Sequence, residues 1–290
     1  MFSRPVKRRG AALALRRGRA FYAEMFEENG VCTLSNADVI KFDDAFVRNG
    51  VLRDGEKLGK CLREALDFRW GKLPLAVGIP SSGCFFKTLS LPVKSLGEAE
   101  EALRWSFGDY FPMAWEDALL GIDTVPMPFA SADMQFLAVV CPKREVMPLL
   151  TALKSWRSSV SFAEPDCVAC ARSLSSDADD GKDALSVIFA DDVVHMCFTN
   201  GGYGVYFRSL SASSDVAGEV GKTMKYVGEK FGCRPNSISV FGGESDLDAL
   251  RTLGYEVRKI SMSDFRNIGY VPPAAPDWCD VAGLAMRTFL

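Results

Sequence analysis

Residues 237–260 constrain the fold more than any other stretch of this sequence. A short apolar run, 238–241, is followed at once by Gly242 and Gly243. Leu247, Leu250 and Leu253 then recur at three-residue spacing behind Asp246 and among Asp248, which predicts a short helix. Gly254 stands where a helix C-cap belongs. Residues 255–260 read as a second strand, completing a strand–Gly-Gly–helix–strand unit. Paired glycines after a strand let the backbone approach a ligand and leave helix N–H groups facing it. The alternative is an ordinary connection that needs positive φ, because a lone glycine motif has little specificity.

The rest of the chain surrounds this unit with alternating strands and helices. Residues 11–15 and 20–26 read as a hairpin turning at Gly18, and 30–33 and 38–43 as two further extended pieces. Asp54 is placed to cap a helix running to Arg69, with Leu58, Cys61, Leu62, Ala65 and Leu66 on one face and Gly71 as its stop. The apolar run 73–79 predicts a buried central strand. Residues 81–162 read as a separate small α+β unit: strands at 85–91, 118–125, 134–140 and 159–162, the second and third separated by a Pro126/Pro128 turn. A helix opens on the capping box Ser95/Glu98, and another spans 143–156 with Pro148 inside it. Residues 166–174 predict a helix and 175–182 a polar linker. Beyond it, strand 185–190 precedes a hairpin turning at Asn200-Gly201-Gly202, a helix over 214–231, the opening unit, a loop over 263–276 and a last helix over 277–289 with small residues Ala282, Gly283 and Ala285. Both halves share a crude plan of hairpin, helix and buried strand, and the whole implies a mixed α/β protein.

The chain has 290 residues, 48% of them hydrophobic and 24% charged, which is a globular composition. No apolar run approaches the roughly eighteen residues of a membrane span, and no signal-peptide pattern opens the sequence, so a soluble cytoplasmic protein is expected. Nine cysteines without a paired framework suit a reducing compartment. Net charge is −3, yet Arg4, Lys7, Arg8, Arg9, Arg16, Arg17 and Arg19 crowd the start. That cluster reads as a solvated tail or as a contact with anionic lipid. The rest is acidic and carries no base-stacking motif, which argues against nucleic acid.

Individual motifs point to little chemistry. Cys167 and Cys170 make a C-x-x-C with no second pair at metal-ligand spacing, so zinc or redox roles are not expected. His195 is the only histidine and has no nucleophile near it in sequence. Asp179/Asp180 and Asp191/Asp192 are sequence neighbours whose side chains diverge. No P-loop, G-x-G-x-x-G or G-x-S-x-G occurs.

Six segments carry a resemblance when taken in order: VRNGVLRDGEKLGKCLREAL (47–66), VGIPSSGCFFKTLSLP (77–92), EAEEALRWSFGDYFP (98–112), AEPDCVACARSL (163–174), FGGESDLDAL (241–250) and VAGLAMRTF (281–289). Their order resembles PilM, the actin-like cytoplasmic component of type IV pilus assembly, and more distantly the cytoplasmic part of GspL. The resemblance implies an α/β fold with a duplicated actin-like (ribonuclease H-like) core and an inserted small α+β subdomain. It implies a first subdomain over 1–80, completed by 163–180 and 277–290, the insertion over 81–162, and a second subdomain over 183–276. The stretch 208–238 is too short for the family's fourth subdomain, which is expected to be largely deleted.

The resemblance also implies a function: a scaffold, peripheral at the cytoplasmic face of the inner membrane, that binds the tail of a PilN-like membrane protein and meets other pilus assembly proteins. The family's groove lies between the first domain and the insertion. Phe85, Phe86, Tyr110 and Phe111 flank that junction, with core packing as the alternative reading. Gly242 and Gly243 would be the adenosine turn. Two departures bear on ATP and Mg²⁺. The first phosphate loop reads LALRRGRAFYAEM, with no acid before Glu24, and the second reads LSVIFADDVV, with Ile188, Phe189 and Ala190 where an Asp-Gly is wanted. Asp191 is a displaced candidate, and Arg16, Arg17 and Arg19 remain as phosphate attractors without a metal site. A non-hydrolysing member without cofactor is expected; an active actin-like ATPase or sugar-kinase relative is the alternative.

Overall fold

The computed structural model describes residues 8–29, 31–66, 73–125, 133–154, 160–175, 183–200, 203–232, 235, 237–242, 247–262, 268–270 and 278–289. The chain opens with a three-strand antiparallel meander, β1 (Arg8–Arg16), β2 (Arg19–Glu28) and β3 (Val31–Lys41). The two extended pieces expected beyond β2 are one strand, because a register shift opposite Ala23–Met25 lets β3 continue past the irregularity. An Asn-Gly hairpin follows, β4 (Val47–Arg48) and β5 (Val51–Leu52), with Asn49 and Gly50 at φ 50° and 65°. Two successive positive φ values are what a two-residue turn matched to strand twist requires.

Asp54 caps α1 (Gly55–Leu66), its carboxylate accepting from Lys57 N at 3.1 Å, and Leu58, Leu62 and Leu66 line the buried face. The expected stop at Gly71 lies outside the described residues. Next, β6 (Leu75–Ile79) is buried along its whole length. The inserted unit comprises β7 (Phe85–Leu91), α2 (Leu96–Tyr110), β8 (Ala118–Thr124) and β9 (Met134–Pro142). Ser95 caps the helix as expected, Glu98 N donating to Ser95 Oγ at 3.2 Å, but the Glu98 carboxylate accepts from Lys94 N at 2.9 Å, one residue before the N-cap, and not from Ser95 N as a full capping box would have it. The three strands order as β7-β9-β8 and enclose a core of Ala99, Leu103, Phe107, Phe111 and Phe136. Then α3 (Lys143–Leu153), with Pro148 inside it, packs on α1 and gives Val146, Leu149 and Leu153 to the core of the first sheet. The chain returns through β10 (Val160–Pro165) and α4 (Asp166–Ser175).

The second half repeats the meander as β11 (Ala184–Ala190), β12 (Val193–Asn200) and β13 (Tyr203–Ser211). Only residues 212–215 separate β13 from α5 (Val216–Phe231), so nothing is inserted at the place of a fourth subdomain. Asp215 caps α5, and Gly232 ends it at φ 65°. The remaining elements are β14 (Ser237–Phe241), the single-turn α6 (Leu247–Arg251), β15 (Glu256–Ile260), β16 (Ile268–Tyr270) and α7 (Cys279–Arg287).

The strand orders make the duplication explicit. One sheet runs β10-β6-β1-β2-β3-β16 and the other β13-β12-β11-β14-β15. In each, the first strand of the meander pairs parallel with the strand that follows the crossover helix, and that strand pairs parallel with the next. This is the ribonuclease H-like plan made twice, as expected. Between the sheets lie α4 and α7. α7 packs on β1, β2 and β6, α4 on β12 and β13, and the two helices on each other. A Cβ at Gly283 would stand 1.8 Å from the Ala169 carbonyl oxygen, so the small residues of α7 permit this approach. Among the described residues, no helix is long and apolar enough to cross a membrane.

Candidate functional site

Two hairpin turns at equivalent places in the two halves face each other: the β1–β2 turn, 16–19, and the β11–β12 turn, 190–193. All three arginines of the first turn meet an aspartate from another segment. Arg16 makes a two-point pair with Asp280 at the start of α7, Nε to Oδ2 and Nη2 to Oδ1, both 3.0 Å. Arg17 donates to Asp44 at 3.1 Å, and Arg19 reaches across to Asp191 at 2.6 Å. Asp192 accepts from Asn49 N at 2.9 Å, tying the second turn to the β4–β5 hairpin. Gly18 is at φ 64°, and a Cβ there would lie 2.3 Å from Asp44 Oδ1. The chain's own carboxylate therefore covers the glycine of the first turn.

The glycine turn after β14 is filled in a similar way. Gly242 is at φ 70°, and a Cβ there would come within 2.9 Å of the Phe189 carbonyl oxygen. Glycine is needed at this position for packing against β11, whatever else the turn does. Gly243 lies outside the described residues. Asp191 has φ 55°, a conformation uncommon for a non-glycine residue.

A buried polar cluster lies deeper between the halves. Ser209 Oγ is 2.9 Å from His195 Nδ1 and 2.9 Å from Ser81 Oγ, and Ser81 Oγ is 3.3 Å from the same nitrogen. Asp166 Oδ2 lies 3.7 Å from His195 Nε2. Burial pushes the Asp166 carboxyl above its ordinary value, with His195 and Ser81 opposing the shift. Hydroxyl, imidazole and carboxylate thus do meet, which the sequence distances of 114 and 14 residues concealed. With Ser81 1% and His195 2% exposed, no substrate reaches them; they satisfy one another inside the joint. The C-x-x-C is likewise internal. Cys170 Sγ lies 3.4 Å from Cys279 Sγ, and Cys167 is buried beneath β12.

The four aromatics expected to line one groove do not share a surface. Alternation along β7 sends Phe85 and Phe86 to opposite faces. Phe85 and Tyr110 pack on the core of the insertion, and Phe111 belongs to it, 2% exposed with its ring 4.9 Å from that of Phe107. Phe86 turns toward the second half, 5.4 Å from the Phe207 ring. An open groove lies elsewhere at the junction of insertion and first sheet. β8 is one outer strand of the inserted sheet and β10 one outer strand of the six-stranded sheet. Between them runs a cleft of about 390 Å³, lined by Ile79, Ile122, Val139, Leu150, Phe162 and Val168 among others. Arg172, paired to Glu164 (Nη2 to Oε2, 2.7 Å), and Arg287, over the Phe162 ring at 5.5 Å, border it. Phe162 is 37% exposed. Runs of consecutive residues from both outer strands mark this cleft, but which strands are outermost is a property of topology that no local pattern carries.

No family model matches the chain, and no curated protein matches it. Solved structures do. The chain is similar to a chain of a PilM–PilN type IV pilus biogenesis complex, with TM-score 0.78 at 14% identity over 97% of this chain and 98% of that one. It is similar at TM-score 0.53 and 10% identity to the cytoplasmic domain of EpsL, an inner membrane component of the type II secretion system of Vibrio cholerae, over 98% of this chain and 94% of that one. A Bacteroides thetaiotaomicron protein with an actin-like ATPase fold gives TM-score 0.52 at 10% identity, over 87% of this chain and 91% of that one. With the doubled strand order, these likenesses establish the actin-like fold.

Proposed function

We propose that this chain is a cytoplasmic scaffold of a type IV pilus or related secretion assembly, and that it holds the extended tail of a PilN-like inner-membrane protein in the cleft between β8 and β10. The observation that carries the reading is the likeness over nearly the full length of both chains to a structure of a PilM–PilN complex. The cleft supports it physically. An extended peptide laid along a strand edge gains backbone hydrogen bonds, and alternate side chains enter pockets on either side. The apolar residues of the cleft suit such side chains, and its arginines suit polar or acidic groups. Other assembly proteins, and a membrane contact through the basic start of the chain, belong to the same reading.

The scaffold acts without nucleotide hydrolysis. Mg²⁺ with a triphosphate needs free carboxylate oxygens and accessible backbone N–H groups. Here the carboxylates of Asp44, Asp191, Asp192 and Asp280 each face a nitrogen donor of the chain, and Asp44 stands over Gly18. The residues present do not fit the group.

The test is calorimetric titration of the protein with synthetic tails of PilN-like proteins from the same genome. Affinity of about micromolar, roughly 8 kcal/mol, is expected for one of them. If none binds, the scaffold reading fails. A parallel titration with ATP and Mg²⁺ is expected to give no heat, and micromolar affinity there would restore the active ATPase.

A further inference from the structure

We propose that Arg19 and Asp191 form a releasable clasp that holds the two halves of the chain closed without any ligand, and that Arg16–Asp280 and Arg17–Asp44 fix the turn that presents Arg19. The three pairs differ in kind. Arg16–Asp280 is buried, its side chains 9% and 5% exposed, and anchors the first turn to α7. Arg17–Asp44 stays within the first half and keeps the Asp44 carboxylate over Gly18. Arg19–Asp191 alone joins turn to turn across the halves, and its side chains are 46% and 24% exposed, so water and salt reach it.

Two neighbouring contacts share the load. Asp192 accepts the Asn49 backbone N–H, and Val193 stands against Gly50, where a Cβ would come within 2.7 Å of its Cγ2. Contacts deeper between the halves, Ser81 with His195 and Phe86 with Phe207, are buried or half-buried and define the side that stays together. An exposed ion pair contributes modestly, so it biases an opening by a few fold rather than locking it. Screening weakens such a pair at high ionic strength. Opposite charges on the two turns therefore favour the closed arrangement, and the turns loosen as salt rises. This holds whether or not a tail binds in the cleft between β8 and β10.

Amide hydrogen exchange in turns 16–19 and 190–193 tests it in the full chain. Arg19→Asp and Asp191→Asn, the latter keeping a side chain that tolerates the positive φ at this position, are each expected to speed exchange there about two- to fivefold, and the Arg19→Gln/Asp191→Asn double variant to stay within about twofold of Asp191→Asn alone. Arg19→Gln gives a milder variant, and cooperative melting verifies that each protein is folded. Raising salt from 0.05 to 1 M is expected to move the parent in the same direction as the single variants. Unchanged exchange in both single variants overturns the clasp. So does an Arg19→Gln/Asp191→Asn double variant that exchanges more than about twofold faster than Asp191→Asn, and so does added protection of both turns by ATP and Mg²⁺.

Discussion

The Arg16 guanidinium and the Asp280 carboxylate face each other at two points, both 3.0 Å, with almost no solvent contact. This pair fastens the first hairpin turn to the last helix across 264 residues of sequence. Burial alone would lower the Arg16 pKa, but Asp280 outweighs it and holds the guanidinium above its ordinary value. Removing Asp280 takes the two-point partner from a buried guanidinium. Asp280→Asn is expected to reduce stability by about 3–5 kcal/mol in denaturant unfolding. The double change Arg16→Met/Asp280→Leu is expected to lose less than Asp280→Asn, since no bare charge remains.

Glycine substitutions separate packing from conformation. Gly283→Ala puts a Cβ 1.8 Å from the Ala169 carbonyl oxygen, and backbone cannot swing aside as a flexible side chain can. The α4–α7 contact must part, and a loss of at least about 1–3 kcal/mol is expected. Gly108 lies in α2 with nothing within 4 Å of a Cβ and without positive φ. Gly108→Ala is expected to stabilise by roughly 0.5–1 kcal/mol through helix propensity. Thermal melts of the two variants should move in opposite directions.

What the sequence disclosed follows from the range of the forces involved. Caps and turns are local, so Asp54, Ser95 with Glu98 and Gly254 were all legible. The Asn49-Gly50 hairpin was not among the expected elements: its strands have two residues each and offer no periodicity beside the turn residues. The doubled plan was visible in the order of elements and became definite only with strand pairing. The site was less accessible. Which Asp meets Arg19, and that Ser81 and Ser209 meet His195, depends on contacts between residues far apart in the chain. The groove aromatics show the limit of placing residues by junction alone. Phe85 and Phe86 flank the same boundary yet face different cores, because adjacent strand residues point apart.

Alkaline pH should destabilise the protein through its buried thiols. Burial pushes Cys167 and Cys197 well above their ordinary range, and the contact with Cys279, then burial, does the same to Cys170. Burial also raises Cys32, to about 11. The unfolded chain loses these protons near pH about 8.5, while the folded chain retains them. Their contribution is therefore fully present below that pH and lost as pH rises toward the folded values. Each thiol adds a slope of about 1.4 kcal/mol per pH unit in that window. Melting under reducing conditions is expected to decline above pH about 9. The decline should be shallower in Cys197→Ala, although that variant starts from a lower melting temperature.

Two phenylalanines distinguish a binding groove from a core. Phe111 is 2% exposed and packs on Phe107 inside the insertion, so Phe111→Ala is expected to lose about 3–5 kcal/mol and to abolish tail binding only by disrupting β7, β9 and α2. Phe162 is 37% exposed on the outer strand β10 and borders the cleft, with Arg287 over its ring. Phe162→Ala is expected to cost about 1–2 kcal/mol, less than Phe111→Ala, because part of the side chain already faces solvent. It should nonetheless weaken binding of a PilN-type tail at least about fivefold, as loss of an aromatic anchor does at a peptide groove. Melting and titration of both variants together decide the matter. A Phe111→Ala protein that melts normally and loses tail affinity, beside a Phe162→Ala protein that binds like the parent, would move the groove away from β8 and β10 to the opposite side of the insertion.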